Sequence, residues 1–458
     1  MLFPVRRCSV VLNLMLICVF CPLRTDAGAK PRQADATFLV GGATQTLSGS
    51  PFVMNSSTSA IATSTTALLQ TTSTSTQATL GARATLGLAS SGMQRNGIYF
   101  GMLPDWDFYG PQDVARVFGA PVAITGDYIT ISKADSSLSQ IRYHTPVLQQ
   151  FASSSVYAPA IIPGDGVGNT NFTQDMANAL ASKFLSLNNA GITVWCRFAY
   201  EFNGYWNVYG QQPDAFKESW TMLYTAVKQA GAAQTYFLWS PNVWTGDIND
   251  PINGYTNYYP GDDMVDLCGL SFYFFGDSSQ TENILPTSDT FSSALQSFYD
   301  EYHTGHDKPI VISESSAPYH YNQPAGFVSS GNDTEIALKY QNASGLTPAG
   351  GGAAQLEMKQ DWLEELNGET TALQFPGLVA VSWFNLFKDR NNQLMDFRAI
   401  YGDNATETYF RTTLGTSSGQ PSGGLPSSAT RLLPGFASCT FGMVSALCLM
   451  YSERLLLS

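Results

Sequence analysis

Eight short stretches of this chain are apolar at most positions, and the segments between them repeat apolar residues every three or four places. The stretches are 97–103, 121–128, 156–163, 193–201, 235–240, 264–273, 309–314 and 378–384. Rich in Val, Ile and aromatic residues, they read as strands buried on both faces. Helical spacing covers 111–118, 136–151, 173–189, 213–230, 288–303 and 354–367. Several of these begin on Thr, Ser or Asp, which cap orphan backbone N–H groups, and Gly191, Gly231 and Gly368 follow three of them. Strand and helix in alternation from 95 to 413 predict one α/β domain, a single (β/α)8 TIM barrel with generous loops.

The flanks follow other patterns. Arg6 and Arg7 precede an apolar run over 10–20, and Ala27-Gly-Ala29 offers a small-residue cleavage site, so 1–29 is expected to be a secretory signal peptide. Residues 30–94 are mostly Ser, Thr, Ala and Gly with little to bury, and read as a disordered linker or O-glycosylated stalk preceding the barrel. At the other end small residues over 414–431 precede a hydrophobic tail over 432–458, an order that fits a glycosylphosphatidylinositol signal and outer-leaflet anchoring. A single transmembrane helix is the competing reading, weakened by Pro434 and two glycines. Asn55, Asn171, Asn332, Asn342 and Asn404 stand in N-x-S/T sequons, which have meaning in an extracellular, secreted or cell-surface protein.

Removing residues 1–29 and everything after Pro421 leaves 18 basic against 34 acidic residues, a net charge of −16, and two cysteines, Cys196 and Cys268. That charge excludes nucleic acid and anionic lipid as partners of the barrel, and two cysteines exclude a disulfide framework or a four-cysteine zinc site. Cys196 falls in the fourth strand and Cys268 in the sixth. With one strand between them their backbones stand roughly 9 Å apart, too far for a disulfide, so both are expected to be free buried thiols.

Two of the strands stop on glutamate: Glu201 closes the fourth and Glu314 the seventh. In a closed parallel barrel the chemistry sits at the strands' carboxyl ends, and a pair of carboxyls there is the equipment for cleaving a glycosidic bond. In a retaining mechanism one carboxyl attacks the sugar while the other protonates the departing oxygen, which requires different surroundings for the two. Phe202 and Trp206 lie near Glu201 in sequence and favour its neutral form. Arg197, four residues before Glu201, shares its inward face by alternation and is the candidate cation for Glu314, a barrel-core ion pair being the other reading. Trp106, Trp206, Trp239, Trp244 and Trp383 fall at or beyond strand ends, where flat aromatic faces stack on sugars; as a set they predict a platform.

Four segments carry a resemblance to glycoside hydrolase family 26: Trp195-Cys-Arg-Phe-Ala-Tyr-Glu201-Phe-Asn-Gly-Tyr-Trp206, Leu238-Trp-Ser-Pro-Asn242, Tyr259-Pro-Gly-Asp-Asp-Met-Val-Asp266-Leu-Cys-Gly-Leu-Ser-Phe-Tyr273 and Pro309-Ile-Val-Ile-Ser-Glu314. The resemblance implies a retaining endo-β-glycanase acting on a plant or fungal cell-wall polysaccharide, mainly β-1,4-mannan, with Glu201 as acid/base, Glu314 as nucleophile, and no cofactor or metal. It further implies substrate contacts from Tyr200, Trp206, Trp239, Tyr273, Trp383, Arg197 and Asn203, with Tyr273 donating to Glu314. The chain departs from the family at Tyr200, where histidine is usual, and this opens xylan and β-glucan beside mannan. A monomer is expected. The competing class is a wall-associated glycan-binding barrel that has lost turnover.

Three other signals carry less. Gly164-Asp-Gly-Val-Gly168 fits neither nucleotide-loop spacing and reads as a strand-three loop. His303, His306 and Asp300 could meet a metal, but histidines at a helix end also suit the helix dipole. No Gly-x-Ser-x-Gly elbow marks an esterase.

Overall fold

The computed structural model describes residues 86–132, 138–164, 166–341, 343–390 and 392–415. The expected signal peptide, most of the linker and the hydrophobic tail lie outside them, as do Asp165 and the sequons at Asn55 and Asn342.

Eight parallel strands form the centre: β1 Ile98–Pro104, β2 Ile124–Ile131, β3 Val156–Pro163, β4 Val194–Phe198, β5 Thr235–Trp239, β6 Leu267–Ser271, β7 Ile310–Ser315 and β8 Leu378–Asn385. Each pairs with its neighbours in chain order, and β1 pairs with both β8 and β2, so the sheet closes. Around it lie α1 Pro111–Phe118, α2 Ser139–Gln149, α3 Gln174–Asn189, α4 Pro213–Ala230, α5 Thr290–Tyr299, α6 Asp333–Lys339, α7 Gln355–Asn367, α8 Glu369–Gln374 and α9 Asn404–Leu414. This is the (β/α)8 barrel that the alternation predicts.

Local chemistry sets several boundaries. Thr173 caps α3 by accepting from the backbone N–H of Met176, and Pro213 opens α4, which ends on Gly231 in the left-handed conformation. Trp195, Leu238, Leu267, Val311 and Ala380 cluster inside the barrel. The residues next to them in sequence, Cys196, Phe237, Cys268, Ile310, Ile312 and Val381, pack in the outer layer under the helices. Every barrel strand therefore carries apolar residues on both faces. Cys196 and Cys268 are buried and unpaired, on β4 and β6 with β5 between them.

The structure corrects the sequence reading in places. Residues 86–94, read as the end of the linker, are packed: Leu88 and Met93 are buried, and Leu86 accepts a 2.8 Å hydrogen bond from the Trp195 indole. The fourth strand ends at Phe198 rather than Glu201, and the sixth spans only Leu267–Ser271. Helix α5 stops at Tyr299 and widens into a π-turn over Asp300–Gly305. Helices α6, α8 and α9 were not anticipated. Neither was a four-stranded antiparallel sheet, ordered Thr347–Pro348, Tyr319–Asn322, Gln393–Asp396 and Phe387–Arg390, which joins the loops after β7 and β8 at the carboxyl end of the barrel. Its strands are too short and polar to register as apolar runs.

Candidate active site

Glu314 owes its position to an irregularity in β7. On one side Leu270 pairs with Ile312 but Ser271 pairs with Glu314; on the other Val381 pairs with Ile312 and Trp383 with Ser315. Both neighbours thus pass one extra residue between Ile312 and Ser315, a β-bulge. Strict alternation would turn Glu314 to the side of Ile310 and Ile312, under the helices. With the bulge, Ser313 and Glu314 both face inward: Ser313 Oγ lies 2.6 Å from Ser240 Oγ, and Glu314 Oε2 lies 3.2 Å from Arg197 Nη2. Tyr273, two residues past the end of β6, donates its hydroxyl to Glu314 Oε1 at 2.5 Å.

Glu201 stands on a turn. Ala199 and Glu201 have φ of +48° and +53°, left-handed conformations that non-glycine residues seldom adopt and that cluster at functional sites. The backbone N–H of Glu201 donates to Ser240 O at 2.8 Å, tying the turn to the end of β5. Its carboxylate accepts from Trp206 Nε1 at Oε2 (2.8 Å) and from Asn242 Nδ2 at Oε1 (3.2 Å).

The surroundings separate the two carboxyls. Burial, reinforced by the charge on Glu314, raises Glu201 to about 7, against the opposing hydrogen bonds from Ser271, Trp206 and Asn242. Arg197 is 1% exposed; burial works against its charge, yet the facing Glu314 carboxylate holds it above its ordinary range. Among the described residues, its Nε and Nη1 have no hydrogen-bond partner, while Nη2 also reaches Ser271 Oγ at 3.5 Å. Burial and then the Glu314 charge push the hydroxyls of Tyr128, Tyr200 and Tyr273 well above the usual phenol range, so all three remain proton donors. One carboxyl held by a cation and a phenol stands beside another that keeps its proton near neutrality. Such a pair can deliver a nucleophile and an acid to the two ends of one bond.

The other expected contacts divide. Tyr200 lies in the site, its ring 4.9 Å from the Arg197 guanidinium carbon and 5.8 Å from the Tyr128 ring. Trp206 is half-buried and bound to Glu201. Asn203 is a correction: it is buried, it donates to Asn242 O (3.0 Å) and Asn253 O (2.9 Å), and it accepts from Asn242 N (2.8 Å). With those bonds made it ties the loops after β4 and β5 together rather than contacting sugar. Trp239 and Trp383 are also corrections. Trp239 is fully buried, stacks on Phe298 of α5 and donates to Tyr258 O. Trp383 packs on Phe410 of α9 and donates to Phe397 O. Their strand parity explains this, because Ser240, next to Trp239, faces the lumen with Ser313. Of the remaining platform candidates, Trp106 is half-buried and stacked on His144 at 4.0 Å, and Trp244 is half-buried with its indole N–H on Asp247 O.

Asn242, Ser271 and Tyr128 were not singled out. Asn242 and Ser271 lie inside quoted motifs, and Tyr128 closes an expected strand, but nothing local distinguished them. Gly164 and Gly168 lie in the loop after β3. His303 Nδ1 lies 2.9 Å from Lys308 O and His306 pairs with Asp262. Among the described residues, no group of three or more His, Cys, Asp and Glu could hold a metal ion.

Residues 134–337 match the family model of glycosyl hydrolase family 26. The chain is 26% identical over 157 residues to the β-1,3-xylanase TXYA of a Vibrio species, and 27% identical over 148 residues to a β-1,3-xylanase of an Alcaligenes species. These matches cover 33% and 32% of this chain but only 30% and 28% of the lengths of those proteins. Among solved structures, a β-mannanase of the same family from Bacteroides ovatus is 15% identical, with a TM-score of 0.46, covering 70% of this chain and 88% of that one. Both Glu201 and Glu314 fall inside the segment that matches the glycosyl hydrolase family 26 model, on a closed barrel of eight parallel strands.

Proposed function

We propose that this glycoside hydrolase is an extracellular retaining endo-β-glycanase working by double displacement. Glu314 attacks the anomeric carbon as Glu201 gives its proton to the departing glycosidic oxygen, leaving a sugar esterified to Glu314. Glu201 then takes a proton from water, whose oxygen attacks the same carbon and frees Glu314. The asymmetry of the pair carries this reading: Glu201 is raised to about 7, while Glu314 rests on Arg197 and Tyr273. The buried, unpartnered Nε and Nη1 of Arg197 and the phenols of Tyr128 and Tyr200 supply donors for sugar hydroxyls beside Glu314.

For the polymer, β-1,4-mannan is the first candidate on the family resemblance. A second reading, β-1,3-xylan, is favoured by Tyr200 in place of histidine and by the names of the two curated relatives. An extracellular, surface-anchored setting belongs to the proposal on sequence grounds alone. Incubation of the full chain with mannan, β-1,3- and β-1,4-xylan, mixed-linkage glucan and β-1,3-glucan, followed by time-resolved proton NMR, tests both levels. Cleavage with the β-anomer formed first supports the mechanism; initial α-anomer sinks it.

A further inference from the structure

We infer that Tyr205, edge-on to Trp206, is the platform for the sugar on the leaving-group side of the scissile bond and sets the enzyme's demand for a polymeric substrate. The inference rests on reading Glu201 as the acid.

Large apolar side chains are nearly all buried in this barrel, yet Tyr205 is 68% exposed. Of the eight large apolar residues exposed among those described, Tyr205, Val208 and Ile252 lie on the neighbouring loops after β4 and β5. Asn203 joins those loops through Asn242 O and Asn253 O, and Gln211 Nε2 adds a bond to Asn253 Oδ1 at 3.0 Å. The three therefore belong to one stretch of rim, continuous with the acid: Tyr205 meets Trp206 at 5.4 Å and 75°, and the Trp206 indole donates to Glu201 Oε2.

The loop is built to hold that exposure. Gln211 N donates to Phe202 O at 2.7 Å and Tyr209 Oη to Tyr200 O at 2.9 Å, closing the loop on itself. Gly204 lets the Trp206 indole fold against the backbone, since a Cβ there would lie 2.3 Å from the ring. A short, internally bonded loop does not turn its tyrosine inward, so the apolar face stays presented. Proton transfer dictates the occupant: the oxygen receiving the Glu201 proton belongs to the departing sugar, which must lie against the loop that carries Glu201. The apolar face of a pyranose ring is the surface an exposed phenol ring complements.

The test compares wild type, Tyr205→Ala and Tyr205→Phe in the full chain on two substrates. One is the soluble polysaccharide that wild type cleaves; the other is a β-glycosyl fluoride of the same sugar, whose leaving group has no ring to stack. Tyr205→Ala is expected to lose about tenfold in kcat/KM on polysaccharide, chiefly through KM, equivalent to about 1.4 kcal/mol. The fluoride should be unaffected and Tyr205→Phe should match wild type. Equal losses on both substrates, or none on polysaccharide, overturn the inference. If wild type turns over neither, the reading of the site fails. The platform is then judged by quenching of tryptophan fluorescence with manno- and β-1,3-xylo-oligosaccharides: loss of quenching in Tyr205→Ala alone supports it, and equal quenching in all three overturns it.

Discussion

Glu314 and Glu201, coupled through their charges, rest on supports of opposite kind. Glu314 is part of strand β7, hydrogen-bonded to strands on both sides, and its carboxylate meets a guanidinium and a phenol. Glu201 sits three residues beyond its strand on a left-handed turn, and its carboxylate meets an indole N–H and an amide. In the proposed mechanism the attacking carboxyl lies on the rigid element next to a cation, and the carboxyl that passes the proton lies where burial resists its charge. The same residue type acquires two chemistries because the second partner of each differs.

The largest expected effect separates the two outright. Glu314→Ala should abolish turnover of every substrate, whereas Glu201→Ala should lose roughly 10²–10⁴-fold on polysaccharide and keep slow hydrolysis of aryl glycosides with good leaving groups, which need no protonation. Equal losses for both variants on the activated substrate would erase the distinction.

Removing the cation should cost more than removing a neutral donor. Arg197→Met leaves Glu314 buried against an apolar side chain, and is expected to lower unfolding stability by about 3–5 kcal/mol and kcat with it. Asn242→Ala takes one neutral hydrogen bond from Glu201 and should cost about 1 kcal/mol. Urea titrations that rank the two the other way would mean that the ion pair is not what holds Glu314.

The raised Glu201 also shapes the response to pH. Its folded value of about 7 lies above its ordinary 4.5, so the folded protein binds the extra proton more tightly across that window. Stability therefore falls as pH rises from about 4.5 to about 7, by on the order of 3 kcal/mol from this group, and Glu201→Gln should flatten the slope. On polysaccharide the same loss of the proton gives kcat/KM an alkaline limb near 7. Trp206→Phe removes a bond that favours the charged carboxylate and should move that limb upward by less than about one pH unit. A downward shift would remove Trp206 from the acid's surroundings.

The smallest catalytic effect is expected at Trp239. Trp239→Phe should lower the melting temperature while leaving KM unchanged, because the indole packs under α5 and never reaches the cleft. A rise in KM without a loss of stability would return it to the binding surface.

Much of this site was legible before the fold. The Val- and Ile-rich runs ending at Glu201 and Glu314 marked the strands, and the parity of Arg197 pointed it inward, where it lies 3.2 Å from Glu314. The aromatic platform was read less well. Nearness to a strand end was used where parity decides, and Trp239 and Trp383 stand on the helix-facing side, whereas Tyr205, on a loop with no periodicity to read, is the exposed one. From sequence Asn203 reads as a sugar contact, because a polar residue beside a glutamate looks the same whether it bonds a ligand or a neighbouring loop.

What the amino-acid order determined by itself was the eight barrel strands, six of the helices between them and the two positions where a carboxyl follows an apolar run, since periodicity and composition are local properties of the chain. What only tertiary structure decided was the direction of those carboxyls. Alternation along β7 would have put Glu314 under the helices, and the bulge that turns it into the lumen is fixed by pairing to β6 and β8, residues far away in sequence. The left-handed turn that raises Glu201 is held by a carbonyl of Ser240 at the end of another strand. Both depend on hydrogen bonds between segments that no local pattern connects.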